Sequence, residues 1–181
     1  MALPNTVGFI DPLHSTGIAH TLSAVERIAC MFEQNGQPSA ESVAGYATDV
    51  FSELRLIDEL VSGCYSAMHN FALFKTWCML YFAAAHSCEM RRVSGELAFA
   101  DGFLGASRLE LRTIVRKLRP LLDHAIAEDS VAATARFKAQ VREAIEPINL
   151  AGLMDPSVNN IYHNTAPPRG FGSVVVGESQ A

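Results

Sequence analysis

Basic charge is scarce in this chain: lysine occurs only at Lys75, Lys117 and Lys138, and the formal net charge is −5 over 181 residues. That balance lacks the cationic footprint of a nucleic-acid or anionic-membrane binder, so neither partner is expected. No Cys-x-x-Cys pair occurs, because Cys30, Cys64, Cys78 and Cys88 stand far apart. His86 and Cys88 are two residues apart and would diverge on a helix, so spacing gives no metal site. No signal-peptide pattern is read at the start, and with scattered cysteines the expectation is reduced thiols in a cytoplasmic protein. The apolar run Phe71 to Ala85 is too short to span a bilayer and contains Lys75, which makes it a buried helix instead. No strand-glycine-helix dinucleotide fingerprint is present either; Gly170-Phe171-Gly172 follows no βαβ pattern. There is no internal repeat. What remains is a chain with 49% apolar residues, enough to bury the core of one domain.

Apolar periodicity predicts a mainly α protein, a helical bundle. From Ser15 to about Gln34, Ile18, Leu22, Val25, Ile28, Ala29 and Phe32 recur at three and four and stop at Asn35-Gly36. A second helix is predicted from about Ser39 to Met68, with Val43, Tyr46, Val50, Leu54, Ile57, Val61 and Tyr65 on one face and Gly63 as a point of bending. Asn70 is the expected N-cap of a third, Phe71 to about Glu89, apolar around most of its circumference and therefore central. Residues 91–106 read as a loop with one short helix. Ser107-Arg108-Leu109-Glu110 reads as a capping box opening a fourth helix, with Leu111, Ile114, Val115, Leu118 and Leu122 inward. Pro120 is expected to kink or split it. A fifth starts at Asp129 or Ser130 and stops near Glu146, because Pro147 follows. Asn149 to Thr165 reads as an ordered loop, and 166–181 as a flexible tail.

The start of the chain is a different kind of segment. The run Thr6 to Ile10 ends at Asp11-Pro12, where the proline steers Asp11 away from helical dihedrals, and Ser15 or Thr16 then caps the first long helix. A helix N-terminus presents unpaired N–H groups and partial positive charge, so it suits an anion or an electron-rich carbonyl. Gly17 removes the Cβ that would hold a planar ligand off the backbone, and Pro12 offers a flat surface without a donor. An ordinary capped loop-to-helix joint has the same residues.

Further along, Phe71, Phe74, Trp77 and Tyr81 sit at helical spacing, either as core or as the wall of an aromatic pocket. His69, at a helix junction, is either a turn histidine or a group that orients a ligand. The group Arg108, Arg112, Arg116, Lys117 and Arg119 reads as a solvated helix face.

The string Leu3-Pro4-Asn5-Thr6-Val7-Gly8-Phe9-Ile10-Asp11-Pro12-Leu13-His14-Ser15-Thr16-Gly17 closely resembles the second flavin-contacting loop of the flavin-dependent halogenases, the tryptophan halogenase family. The resemblance continues through Leu60-Val61-Ser62-Gly63-Cys64-Tyr65, Phe71 to Ala85 and Ile148-Asn149-Leu150-Ala151-Gly152-Leu153-Met154-Asp155-Pro156. It implies reduced FAD, oxygen and chloride or bromide as the chemistry, and an aromatic small molecule as the substrate. By the same match, Thr16 and Gly17 would hold the halide with backbone amides. Ile10, Asp11, Pro12, Thr16, Gly17 and Ile18 would contact the isoalloxazine, and His14, His69, Phe74 and Trp77 are substrate-pocket candidates.

Two departures shape what the resemblance implies. His14 stands where tryptophan-specific members carry a glutamate and where many phenol or pyrrole members carry an aromatic residue. The family's dinucleotide motif, its Trp-x-Trp-x-Ile-Pro segment and its catalytic lysine have no counterpart here, so no catalytic residue is assigned. The expectation is therefore the C-terminal half of a halogenase, without the Rossmann part: residues 1–17 a short extended flavin and halide loop, 18–165 a helical substrate-side domain, and 166–181 a tail. Alone it is expected to be inactive, to need a missing N-terminal flavin domain or a flavin reductase, and to form a homodimer through the apolar surface left uncovered. An FAD-dependent monooxygenase or reductase relative, or a non-catalytic helical binding module, are the alternatives.

Overall fold

The computed structural model describes residues 1–94 and 101–157, and every regular element among them is helical. Six α-helices follow one another: α1 Pro4–Val7, α2 Thr16–Asn35, α3 Ala40–Ala67, α4 Phe71–Val93, α5 Leu109–Glu128 and α6 Val131–Ile145. Single 3-10 turns lie at Leu13–Ser15, Phe103–Gly105 and Glu146–Ile148. Short polar side chains start three of the long helices as expected, each relieving backbone donors that have no intrahelical partner. Ser39 accepts from Ser42 N, Asn70 from Ala72 N and Leu73 N, and Ser130 from Ala133 N. Gly36 ends α2 in a left-handed conformation, φ +67°, donating its N–H to Phe32 O.

The main core lies among α3, α4, α5 and α6, with Trp77 of α4 at its centre. Its indole is fully buried, stacks against Phe137 of α6 and donates Nε1–H to the Leu60 carbonyl at 2.7 Å. Gly63 of α3 makes that approach possible: a Cβ there would stand 2.1 Å from Trp77 Cε2. The glycine that the sequence marks as a bend is thus a socket in a continuous helix. After α6, the Asn149 side chain closes the next loop, accepting from Leu153 N and donating to Leu153 O. The expected tail 166–181, residues 158–165 of that loop and residues 95–100 lie outside the described residues.

Other expectations are overturned. Of the apolar stripe of α2, Ile18, Leu22, Val25 and Phe32 are exposed and Ile28 is half-buried beside Tyr46 and Val50, whereas Thr16, His20, Ala24 and Arg27 are buried. The cause is Glu53 of α3, whose buried carboxylate pairs with both His20 and Arg27 and turns the polar face inward. Ser107 caps nothing: Arg108 holds the N-cap position of α5 and no side chain bonds to the cap. Pro120 does not split α5, because its ring is exposed while Leu118 and Leu122 on either side are fully buried and anchor both halves. Arg112 is not on a solvated face; its guanidinium bonds to the Ala106 and Ser52 carbonyls and to Ser52 Oγ, tying α5 to α3. The opening segment is only partly extended, since Pro4–Val7 form one helical turn before the extended Gly8.

Candidate functional site: the turn into the first long helix

Asp11 builds the turn. Its Oδ1 accepts from Leu13 N at 2.8 Å, and its Oδ2 accepts from the Tyr65 hydroxyl of α3 at 2.9 Å. That second bond pushes the Tyr65 phenol up in pKa, since it holds the proton against a carboxylate. The backbone then passes through two consecutive left-handed residues, His14 at φ 66° and Ser15 at φ 54°. Neither is glycine, so each carries a conformational cost of about 1 kcal/mol that surrounding contacts must offset. The Ser15 side chain makes no cap bond, contrary to expectation.

Two contacts hold the strained turn. The His14 ring stacks on Tyr81 of α4 at 4.5 Å between centroids, and the buried Thr16 hydroxyl donates to Tyr81 Oη at 3.1 Å. Burial raises the Tyr81 pKa, which keeps the phenol neutral. With Thr16 and His14 drawn toward α4, the backbone at Gly17 faces the other way. There a solvent-open cleft is lined by Asn5, Gly8, Phe9, Ile10, Pro12, Ser15, Gly17 and Ile18.

Of the residues singled out from the sequence, Ile10, Pro12, Gly17 and Ile18 meet around this cleft. Thr16 is fully buried and does not line the cleft, and Asp11 is committed to the turn. The substrate-pocket candidates do not come together. Trp77 is wholly inside the core, Phe74 is partly buried against it, His69 is exposed on the turn between α3 and α4, and His14 faces α3 and α4.

One group that sequence reading missed supports the whole segment. Glu53 Oε2 accepts from His20 Nε2 and Arg27 Nη2, both at 2.7 Å, and Oε1 accepts from Phe103 N at 2.6 Å. Burial alone would raise this carboxyl, but the hydrogen bonds from His20 and Arg27, the Arg27 charge and the Phe103 amide outweigh it and hold the pKa below the ordinary value. Gly102, φ +66°, lets the chain press onto this carboxylate; a Cβ there would stand 2.9 Å from Oε1. The same Glu53 therefore fixes α2 and the Phe103–Gly105 turn.

No protein-family model and no curated protein matches the chain. Among solved structures, the architecture matches the halogenase PltM, described in complex with ethyl mercury and mercury, with a TM-score of 0.58 and 20% identity over 81% of this chain. The fold is halogenase-like. The chain spans about a third of that halogenase, 33% of its length. No helix among the described residues is long and apolar enough to cross a membrane.

The cleft was partly legible because Pro12 and Gly17 are local signals at a helix start. Asn5, Gly8 and Phe9 were not singled out; Phe9, 84% exposed, carries a signal only once its burial is known. Glu53 looked like one charge among several on α3, and nothing near it in sequence marks its partners.

Proposed function

We propose that this chain is the substrate-side part of a flavin-dependent halogenase-like oxidoreductase acting on an aromatic small molecule, and that the cleft at the start of α2 is the halide and isoalloxazine edge of its flavin site. The observation that carries this reading is the convergence of Ile10, Pro12, Gly17 and Ile18 on one cleft at a helix N-terminus. The residues fit the group. A Cβ on Gly17 would meet nothing closer than 3.7 Å, so the glycine is not required by internal packing and leaves flat, open backbone for a ring. The Thr16 and Gly17 amides lie in the first turn of α2, where the helix dipole favours chloride or bromide. Pro12 and Ile10, which line the cleft, would hold the ring, and Asp11 holds the turn in shape through Leu13 and Tyr65.

Reduced FAD, when bound, supplies the oxygen-activating chemistry. The chain's own part is to seat the ring edge and the halide and to keep the turn rigid. The rest of the cofactor needs a flavin-binding unit, and the outward stripe of α2, Ile18, Leu22, Val25 and Phe32, with Phe9 beside it, is the surface proposed for that unit. Without it the chain is expected to turn nothing over.

The test is amide NMR of the full chain with lumiflavin, an isoalloxazine lacking the dinucleotide, and separately with sodium bromide against sodium sulfate at equal ionic strength. Saturable shifts at Gly17, Ile18 and their neighbours support the reading, and Gly17→Ala should weaken lumiflavin binding about tenfold while leaving the helix intact. Shifts scattered over the surface, or none, refute it and favour a non-catalytic binding module.

A further inference from the structure

Beneath the same turn the fold collects three donor atoms that the flavin reading does not use. His14 Nε2 lies 3.5 Å from Cys64 Sγ, and Cys64 Sγ lies 3.7 Å from Cys78 Sγ. All three atoms fall within 4.8 Å of one another. They come from three separate elements: the turn before α2, α3 and α4. We propose that His14, Cys64 and Cys78 form a binding site for a thiophilic d10 metal ion of the Zn²⁺ type.

The geometry argues for it directly. A tetrahedral ion with Zn–S of about 2.3 Å and Zn–N of about 2.0 Å sets its S···S edge at roughly 3.8 Å and its S···N edge at roughly 3.5 Å. The Cys64–Cys78 and Cys64–His14 separations match these two values, and Cys78 and His14 lie within 4.8 Å of each other. The 3.7 Å between sulfurs is also far longer than a disulfide bond, at about 2.05 Å, so the pair is two thiols and not a cross-link. Both cysteines are buried, whereas His14 is half-buried and gives the ion its way in. The donors are also held in place before any ion arrives. Stacking on Tyr81 and edge contact with Phe82 fix the imidazole plane, and the two cysteines sit on long helices packed in the core.

The two thiols lie in hydrogen-bond contact, with either able to donate, and the His14 imidazole approaches the same pair. A divalent cation displaces one proton from each thiol to solvent and neutralises the two thiolates. Three protein donors leave the fourth tetrahedral position to water or another small ligand, the arrangement of an open zinc site. No carboxylate belongs to the group, and the donor set of two sulfurs and one imidazole selects Zn²⁺ over Mg²⁺ or Ca²⁺. This site stands or falls independently of the flavin cleft.

The experiment uses the full chain, reduced, titrated with Co²⁺ as a spectroscopic probe and then with Zn²⁺. The proposal expects one equivalent of Co²⁺ with near-ultraviolet thiolate charge-transfer bands and tetrahedral visible bands, displaced by Zn²⁺. Cys64→Ser and Cys78→Ser should each remove the charge-transfer intensity, and His14→Asn, which tolerates the left-handed backbone, should weaken binding about tenfold or more. Cys30→Ser and Cys88→Ser should change nothing. If either core serine variant fails to fold, wild-type protein still decides: Zn²⁺ should slow iodoacetamide alkylation at Cys64 and Cys78, read by peptide mass, and not at Cys30 or Cys88. Absence of a thiolate band, binding unaltered by the Cys64, Cys78 and His14 variants, or no selective protection overturns the site.

Discussion

Gly63→Ala sets two opposing effects against each other at the centre of the bundle. Helix propensity alone favours the change by about 1 kcal/mol, because alanine loses less backbone entropy than glycine inside a helix. Packing opposes it. The new methyl would stand 2.1 Å from Trp77 Cε2 and 2.2 Å from Nε1, inside a ring that is fully buried against Phe137 and has nowhere to retreat. Overpacking of this kind costs about 1–3 kcal/mol. Displacing the indole also breaks its 2.7 Å bond to the Leu60 carbonyl, and a buried donor left without a partner costs about another 1–3 kcal/mol. The net expectation is a loss of about 1–5 kcal/mol. For a chain of this size that lowers Tm by roughly 2–20 °C. Trp77 is the only tryptophan, so its fluorescence in a denaturant or thermal melt reports both the stability and the local displacement. A variant as stable as the parent, or more stable, with an unchanged emission spectrum would refute the packing argument.

Other perturbations test other parts of the structure. Glu53→Gln leaves Arg27 and His20 without their carboxylate and should cost about 3–5 kcal/mol in urea unfolding at neutral pH. The Glu53 carboxyl is held below its ordinary value of 4.5 in the folded protein, so its contribution is full above that pH and is lost as pH falls through the folded value. The stability gap between parent and variant should therefore narrow in acid, and a gap constant from neutral pH into that range contradicts the assignment. Ser15→Gly, at φ 54° with no cap bond, should raise stability by up to about 1 kcal/mol in the same assay; a loss would mean that the serine side chain does more than its contacts indicate. Leu22→Lys on the outward stripe of α2 should leave Tm within a few degrees while lowering self-association in sedimentation, since the side chain supports no core. A collapse in Tm would place it inside.

Local chemistry made most of the helices legible. Asn70 caps as expected, and Ser39 and Ser130, expected as helix starts, also cap, because an N-cap is a contact over two or three residues; Asn35-Gly36 stops α2 for the same short-range reason. Periodicity identified α2 as a helix but did not show which of its faces lies inside. The polar side is inside because Glu53, 33 residues from His20 and 26 from Arg27, neutralises it, and no window along α2 contains that partner. Pro120 and Ser107 show the same limit: burial of Leu118 and Leu122 keeps α5 whole, and Arg108 holds the N-cap position that the local pattern gave to Ser107. At the candidate site, Pro12 and Gly17 signal a helix start wherever they occur together. The pairing of His14 with Cys64, 50 residues away, and of Cys64 with Cys78, 14 away on the next helix, exists only in the packed bundle.

The most direct measurement of the central claim is a crystal of the chain soaked in bromide with lumiflavin, with data collected at the bromine absorption edge. The account predicts an anomalous peak within hydrogen-bond reach of the Thr16 and Gly17 amides, beside a ring lying against Pro12 and Ile10. Bromide found elsewhere on the protein and not at that turn, with no ring density in the cleft, would contradict it.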